Sequence, residues 1–463
     1  MNHLRYFAGR DAQVTECAII GTGGFGRSFL AQAGRVRGLA CRIAVDRDAA
    51  TAAQVLASTG FPGDRIAECA DAAAARAAWA AGKAVAAGDF ATVAGLPFEV
   101  ALEATGDPEA GARHARLAIE ADKHVVMVTK ETDSVVGPVL ARRAAERGRV
   151  VSPVDGDQPS LLIGLATWAD VIGLEIVAAG KSSEYDFVFD PAAETVTSNG
   201  RTFVTPGFGD WIDVAGRPWS EVAAARARLA TALPQRAVPD LCELTLVANA
   251  IGLPPDRPDL HAPIARITEV ADFMALRSDG GLLERSGRLD VFHCLRLPVE
   301  PSFAGGVFVT VRCEDAETWD MLRDKGHVVA ANGRTAMLGL PRHLLGLEAA
   351  TTVLETARLG VSSGAEQPTP VVDLVAHADA DLAAGTVLTA EGHHHTIRGV
   401  SARMVPAGPL ADDRPVPYYL AANRRLVRSV KADRPLLCAD VELGNGSELL
   451  RLRQLQDALD WGR

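Results

Sequence analysis

One glycine-rich segment constrains the fold of this chain more than any other feature of the sequence. An apolar run at 17–20 is followed by Gly-Thr-Gly-Gly-Phe-Gly, which begins at Gly21. In such a pattern Gly21 permits a tight turn, Gly23 lets the backbone approach a pyrophosphate, and Gly26 lets the next helix pack on the strand. Asp46 ends the following apolar run, about 20 residues further on. The spacing predicts a Rossmann unit that binds NAD or NADP.

The residues after the second apolar run leave the choice between the two cofactors open. Asp46 would bind the ribose hydroxyls, which favours NAD, whereas Arg47 would bind a 2′-phosphate, which favours NADP. Thr105 and Gly106 follow the strand pattern at 98–104, where a loop lies near the nicotinamide ribose in this topology. The predicted cofactor-binding residues are Gly21, Thr22, Gly23, Gly24, Phe25, Gly26, Asp46, Arg47, Thr105, Gly106, Lys130 and Gly156.

The first 180 residues alternate apolar runs with amphipathic helical patterns. The runs at 39–45, 98–104, 124–128, 150–154 and 174–179 predict strands of a parallel sheet that helices cover on both faces. Beyond residue 181 the pattern is that of an α+β unit, and the last 90 or so residues contain short strands and turns. The fold class is therefore α/β with additional α+β and β-rich parts.

This pattern divides the chain into three predicted domains. A Rossmann domain spans 1–155, an α+β catalytic and oligomerisation domain spans 156–365, and a small β-rich domain spans 366–463. The helix at 343–360 is expected to pack back on the Rossmann domain.

Polar side chains follow three of the predicted strands, where α/β folds bind ligands. Lys130 follows the strand at 124–128, Asp157 follows the strand at 150–154, and Lys181 follows the strand at 174–179. A lysine there can polarise or protonate a carbonyl oxygen during hydride transfer, and a carboxylate can orient the substrate or the lysine. The predicted catalytic residues are Lys181, Lys130 and Asp157. The predicted substrate-binding residues are Glu131, Gln158, Glu184, Arg334, Arg342 and His343.

The composition excludes several other classes of function. A net charge of −11 argues against nucleic acid as a partner. Apolar runs are too short for a membrane span, and the first residues lack the apolar stretch of a signal peptide. Seven cysteines without a CxxC pair indicate reduced thiols, so we expect a cytoplasmic protein. Adjacent histidines at 393–395 point to opposite faces of an extended chain, so no metal site is predicted.

The order of four segments resembles that of the homoserine dehydrogenase superfamily. The segments are GTGGFG, EATG, VTKE and VDGDQP, and their closest likeness is to a subgroup with a C-terminal SAF domain. The segments AAGK at 178–181 and PRHLLG at 341–346 also fit, and so do the tail segments 381–388 and 431–441. The resemblance covers nearly the whole chain. It implies NAD(P)-dependent hydride transfer, favours NADP, places Lys130 in the active site and Gly156 beside the nicotinamide, and implies a homo-oligomer.

Two departures from that family bear on the substrate. The Asp-x-x-Arg-Lys stretch of homoserine dehydrogenases does not follow Lys181, so we expect a small polar, anionic hydroxy or oxo metabolite other than homoserine. The subgroup also includes a deoxyxylulose-phosphate reductoisomerase-like enzyme, but the lysine of its Asp-Gly-Thr-Lys segment is missing at 236–243. A sugar-phosphate reductoisomerase and a non-catalytic NAD(P)-binding sensor or scaffold stay open as alternatives.

Overall fold

The computed structural model describes Phe7 and residues 13–214, 216–392, 395–444 and 446–461. Its first sheet has seven parallel strands in the order β3-β4-β2-β1-β5-β6-β7. Helices cover both faces, which explains why the strands are almost wholly apolar. The strands are β1 Thr15–Ile20, β2 Leu39–Val45, β3 Ile66–Cys69, β4 Ala84–Ala87, β5 Val100–Glu103, β6 His124–Met127 and β7 Val151–Pro153.

Five helices connect these strands, and the sequence determines several of their first residues. The Asp48 and Asp107 side chains each accept a hydrogen bond at 2.7 Å from a backbone N–H of the first turn that they cap. Pro108 is the first helical residue after Asp107, where its missing N–H costs nothing. These helices are α1 Gly24–Ala33, α2 Ala49–Ser58, α3 Ala72–Ala80, α4 Pro108–Glu120 and α5 Lys130–Ala145.

A second, mixed sheet contains nine strands in the order β11-β10-β9-β13-β8-β14-β16-β15, with β12 paired to β13. Its strands are β8 Ile176–Ser182, β9 Phe187–Asp190, β10 Thr195–Ser198, β11 Arg201–Val204, β12 Ile264–Ala265, β13 Arg288–Arg296, β14 Val307–Arg312, β15 Val328–Val329 and β16 Thr335–Leu340. The accompanying helices are α6 Gln158–Val171, α7 Trp219–Leu229, α8 Val238–Ile251, α9 Val270–Phe273 and α10 Ala316–Asp324.

The strand expected at 174–179 belongs to this second sheet and not to the first. As β8 it pairs in parallel with β13 and antiparallel with β14. The expectation was wrong because an apolar run after a helix does not say which sheet it joins. Helix α6 packs against β8 and β14, so the chain has already left the first sheet at that point.

The chain returns to the first sheet through α11, Ala349–Leu359. Ala349 and Val353 pack in the same apolar cluster as Cys17 and Ile19 of β1. The outgoing and returning segments also touch, because the Leu345 N–H donates to the Gly156 carbonyl oxygen at 3.0 Å.

The tail contains the short strands that the sequence pattern predicts, and it ends in a helix that the pattern did not predict. A three-stranded antiparallel sheet has the order β20-β17-β21, and β18 pairs with β19. Helix α13 packs against α4 and α5, and its Gln456 side chain is bonded to both Val139 and Val135 of α5. The elements are β17 Val372–Ala378, β18 Ala390–Glu391, β19 Thr396–Ile397, β20 Val400–Pro406, α12 Tyr418–Ala421, β21 Arg434–Pro435 and α13 Glu448–Asp457.

The described helices include none with the length and apolar character needed to cross a membrane.

Candidate active site

The glycine-rich loop has the geometry that its sequence predicts. Gly21 has φ +93°, and a Cβ there would lie 2.4 Å from the Ala104 carbonyl oxygen. A Cβ on Gly26 would lie 2.1 Å from the Gly21 carbonyl oxygen. Both positions therefore require glycine for packing. A Cβ on Gly23 would meet no atom within 4 Å, so this side of the loop faces open space at the start of α1.

Asp46 is held at the end of β2 by the same loop. Its carboxylate accepts hydrogen bonds from the Thr22 N–H at 2.8 Å, from the Thr22 hydroxyl, and from the Arg47 N–H at 2.7 Å. Partial burial opposes ionisation of Asp46, but these hydrogen bonds outweigh it and lower the pKa of the carboxyl. Arg47 is exposed beside it. The position of Asp46 at the strand end suits contact with a ribose, and its role in binding stays a prediction.

A cleft of about 890 Å³ extends from this loop to the tail. It brings together most of the polar residues that the sequence singled out. The predicted site residues that line the cleft are Gly23, Gly24, Phe25, Thr105, Gly106, Lys130, Glu131, Asp157, Gln158, Lys181, Glu184 and His343. Thr396–Ala402 of the tail lines the opposite end.

Two lysines meet at one carboxylate in the middle of the cleft. Lys181 lies within β8, is 1% exposed, and has its Nζ 2.8 Å from Asp240 Oδ1. Lys181 Nζ also contacts one oxygen of Glu243, and Lys130 Nζ contacts the other. Burial favours the neutral amines, but the facing carboxylates outweigh it, so the pKa of each lysine is raised. Both side chains are therefore held as ammonium ions.

Asp157 links this lysine pair to the returning chain. It caps α6, and its Oδ1 accepts the Gln158 N–H at 2.9 Å. Lys130 Nζ lies 3.9 Å from Oδ2, and His343 Nε2 lies 3.5 Å from Oδ1. Burial opposes ionisation, but Lys130 and His343 lower the pKa of Asp157 well below its usual range. His343 Nε2 is buried, and Asp157 is the carboxylate that it faces.

Glu131 differs from the other carboxyl groups of the cleft. It is 5% exposed, and burial raises its pKa to about 7 against the opposing charge of Lys130. A cleft-lining carboxyl with this pKa can gain and lose a proton near neutral pH, as a general acid or base must.

Several cleft residues escaped the sequence analysis. Helix α8 supplies Asp240 and Glu243, and β13 supplies His293, whose ring stacks on Phe187 with centroids 5.0 Å apart. Asp240 also accepts a hydrogen bond from the Ser183 hydroxyl at 2.9 Å. Their positions in the sequence gave no signal for these roles, because their partners come from distant parts of the chain.

Other predicted residues lie outside the cleft lining. Arg334 is 63% exposed and forms an ion pair with Asp279 at 2.5 Å, and Arg342 pairs with Glu348 at 3.3 Å. The structure does not bring either arginine to the cleft lining, because each is paired with a carboxylate outside that lining. The remaining six predicted cofactor-binding residues do not line the cleft, namely Gly21, Thr22, Gly26, Asp46, Arg47 and Gly156.

Metal ligation has no support in the described part of the chain, which holds no group of three or more His, Cys, Asp or Glu side chains suited to an ion. His393 and His394 lie outside the described residues. The prediction of no metal site therefore stays a prediction.

Comparison with known families bears on the middle of the chain. Residues 156–349 match the family model of the oxidoreductase DRL catalytic domain. The matched region is less than half of the chain, and it holds Asp157, Lys181, Asp240 and Glu243. The protein thus carries an oxidoreductase catalytic domain. No curated protein matches the sequence.

Solved structures give only distant likenesses. GenD2 from gentamicin A biosynthesis, solved with NAD, is 14% identical with a TM-score of 0.35, over 75% of this chain and 87% of that one. The 1-deoxy-D-xylulose 5-phosphate reductoisomerase of Zymomonas mobilis is 17% identical, with a TM-score of 0.31 over 51% and 57%. Biliverdin reductase from Synechocystis sp. PCC 6803 is 18% identical, with a TM-score of 0.25 over 38% and 47%. The chain thus spans about half the length of the last two structures. Identities and TM-scores this low establish no shared substrate.

Proposed function

We propose that the protein is an NAD(P)-dependent oxidoreductase that transfers hydride between a nicotinamide and a hydroxyl or carbonyl carbon of a small, polar, anionic metabolite. The observation that carries this proposal is the pair of ammonium groups on Glu243, in the same cleft as the glycine-rich loop. The oxidoreductase match over residues 156–349 supports the same class of reaction.

The loop fits a dinucleotide. The space beside Gly23 and the free N–H groups at the start of α1 suit a pyrophosphate, and a ten-residue helix adds a positive dipole end. Thr105 and Gly106 line the cleft next to it, and the Gly106 N–H is fixed by the Thr129 hydroxyl at 3.0 Å. When bound, the nicotinamide supplies or accepts the hydride.

The lysines act on the substrate oxygen. Negative charge develops on that oxygen as a carbonyl is reduced, and fixed positive groups in a water-poor site stabilise it. Lys181 lies in β8 and is held by Asp240 and Glu243 of α8, so its position changes little when substrate binds. Lys130 is less buried and lies nearer Asp157, which suits substrate orientation.

The proton of the reaction requires a group that titrates. The raised pKa values of both lysines keep them charged, so they are poor proton donors. Glu131, with a pKa of about 7, donates a proton to the substrate oxygen during reduction and accepts one during oxidation. The NAD(P)H, the carbonyl and one proton thereby become NAD(P)⁺ and an alcohol.

The test begins with a panel of hydroxy acids, oxo acids, sugar acids and sugar phosphates, assayed with each cofactor by nicotinamide absorbance. With an active substrate, Lys181→Met should lower turnover by about 100-fold or more while cofactor affinity stays nearly unchanged. Lys130→Met should lose more in substrate affinity. Lys325→Met is the matched control, because Lys325 is exposed outside the cleft. Normal turnover in the folded Lys181 variant would refute its role.

The same assays separate the alternatives. Turnover of homoserine at about 1 per second or more would contradict the expected substrate class. A rearranged carbon skeleton in the product would establish the reductoisomerase reaction instead. Cofactor binding without turnover of any compound would favour the sensor.

A further inference from the structure

Besides the glycine-rich loop and the lysine pair, three separate parts of the chain contribute arginines to the cleft. The β10–β11 hairpin contributes Arg201, the segment before α8 contributes Arg236, and the tail turn between β19 and β20 contributes Arg398. All three arginines are exposed and line the same cleft. The tail therefore takes part in the site as one of its walls.

These arginines differ from the lysine pair. Lys130 and Lys181 each contact a carboxylate, whereas none of the three arginines forms an ion pair with any residue that the structure describes. Arg236 donates to backbone carbonyl oxygens instead, at Gln235, Leu260 and His261 at distances of 2.7 to 3.2 Å. Two carboxylates, Glu184 and Asp379, line the cleft with them, and the charges of Asp259 and Asp290 act on Arg236 from outside the cleft lining.

Arg236 has a fixed guanidinium, and Arg398 has an anchored backbone. The three carbonyl bonds of Arg236 hold its guanidinium just before the helix that carries Asp240 and Glu243. The turn of Arg398 is anchored because the Ile397 N–H donates to the buried Tyr418 hydroxyl at 2.9 Å. A guanidinium that is held like that of Arg236 binds a carboxylate or phosphate oxygen at little further entropic cost.

We propose that Arg236 and Arg398, with Arg201 at the hairpin, bind an anionic group at the end of the substrate distant from the reacting carbon. The tail thereby selects acidic substrates long enough to reach from the lysine pair to Arg398. This assignment rests on the proposed function for the identity of the ligand. It also locates the anion site in residues other than the exposed Arg334 and Arg342.

The test uses the full chain saturated with cofactor, so that the glycine-rich loop is occupied. Inorganic phosphate and succinate serve as probes, and calorimetry measures their dissociation constants. Arg398→Ala and Arg236→Ala should each weaken binding of the preferred anion by about tenfold, the loss of one charge-assisted contact. Arg285→Ala is the control, because Arg285 is exposed and does not line the cleft.

The outcomes distinguish a phosphate from a carboxylate on the substrate, and they test the arginine site separately from the proposed function. Preference for phosphate indicates a phosphorylated substrate, and preference for succinate indicates a carboxylate. Equal affinities in wild type and both cleft variants, or no saturable binding of either anion, overturn the proposal. If the wild type binds no cofactor, the proposed function fails, whereas the difference between wild type and Arg398→Ala still tests the arginines.

Discussion

Replacement of Gln456 by methionine tests how the tail supports the active-site helix. Pro138 lies inside α5, the helix that begins with Lys130. The Val139 N–H donates to Gln456 Oε1, and Gln456 Nε2 donates to the Val135 oxygen, both at 3.2 Å. In a regular helix these two backbone groups pair with each other. The side-chain amide therefore bridges the helical turn that contains Pro138.

The expected magnitude follows from these two bonds. Gln456 is 3% exposed, so methionine removes two buried hydrogen bonds between the tail helix and α5. Each such bond contributes about 1 kcal/mol, which gives about 2 kcal/mol for the pair. Local opening of α5 should become more frequent by about 30-fold, since each 1.4 kcal/mol is a factor of ten.

Hydrogen exchange followed by mass spectrometry measures this opening in peptides from 130–145. Gln454→Met is the matched control, because Gln454 lies on the same helix and is exposed. Peptides from the second sheet should exchange as in the wild type. If α5 exchanges equally in the two variants, the helix closes its own bond without Gln456, and the reasoning is refuted.

Two further predictions concern the site itself. Gly23→Val should place a branched side chain in the open space beside the loop and weaken NAD(P)H binding by roughly 100-fold, as measured by fluorescence. Unchanged affinity in the folded variant would show that the loop is not part of the cofactor site. Because Glu131 must be protonated to donate, kcat for reduction should fall as pH rises through about 7, and kcat for oxidation should rise there. Glu131→Gln should abolish both inflections, and a variant that keeps them would assign the titration to another group.

The local part of the architecture was predictable from the sequence. The loop from Gly21 to Gly26 and the cap at Asp107 depend on residues a few positions apart, and the structure places them as expected. Lys130, Asp157 and Lys181 line one cleft, but Lys181 reaches it from the second sheet and not from the first, and the catalytic roles of all three stay predictions.

The remaining features depend on distant contacts. Glu243 lies 113 positions from Lys130 and 62 positions from Lys181, so no local pattern joins them. The short strands β3 and β4, with four residues each, were too brief to stand out from their surroundings. Lys130 follows β6 as expected, but it is also the first residue of α5, which the apolar run before it did not indicate.

The return of α11 to the first sheet affects how the chain folds during synthesis. One apolar cluster of that sheet includes Ala349 and Val353 of α11. In the sequence, all strands of the second sheet lie between β7, the last strand of the first sheet, and α11. Domains usually fold as units in the order in which a ribosome makes them. The first sheet of this chain must instead keep part of its apolar surface exposed until the returning helix emerges. Contacts between residues so far apart in sequence also slow folding, because a long loop must close before they form. The nascent chain therefore has a prolonged stage in which this surface is open to aggregation or to chaperones.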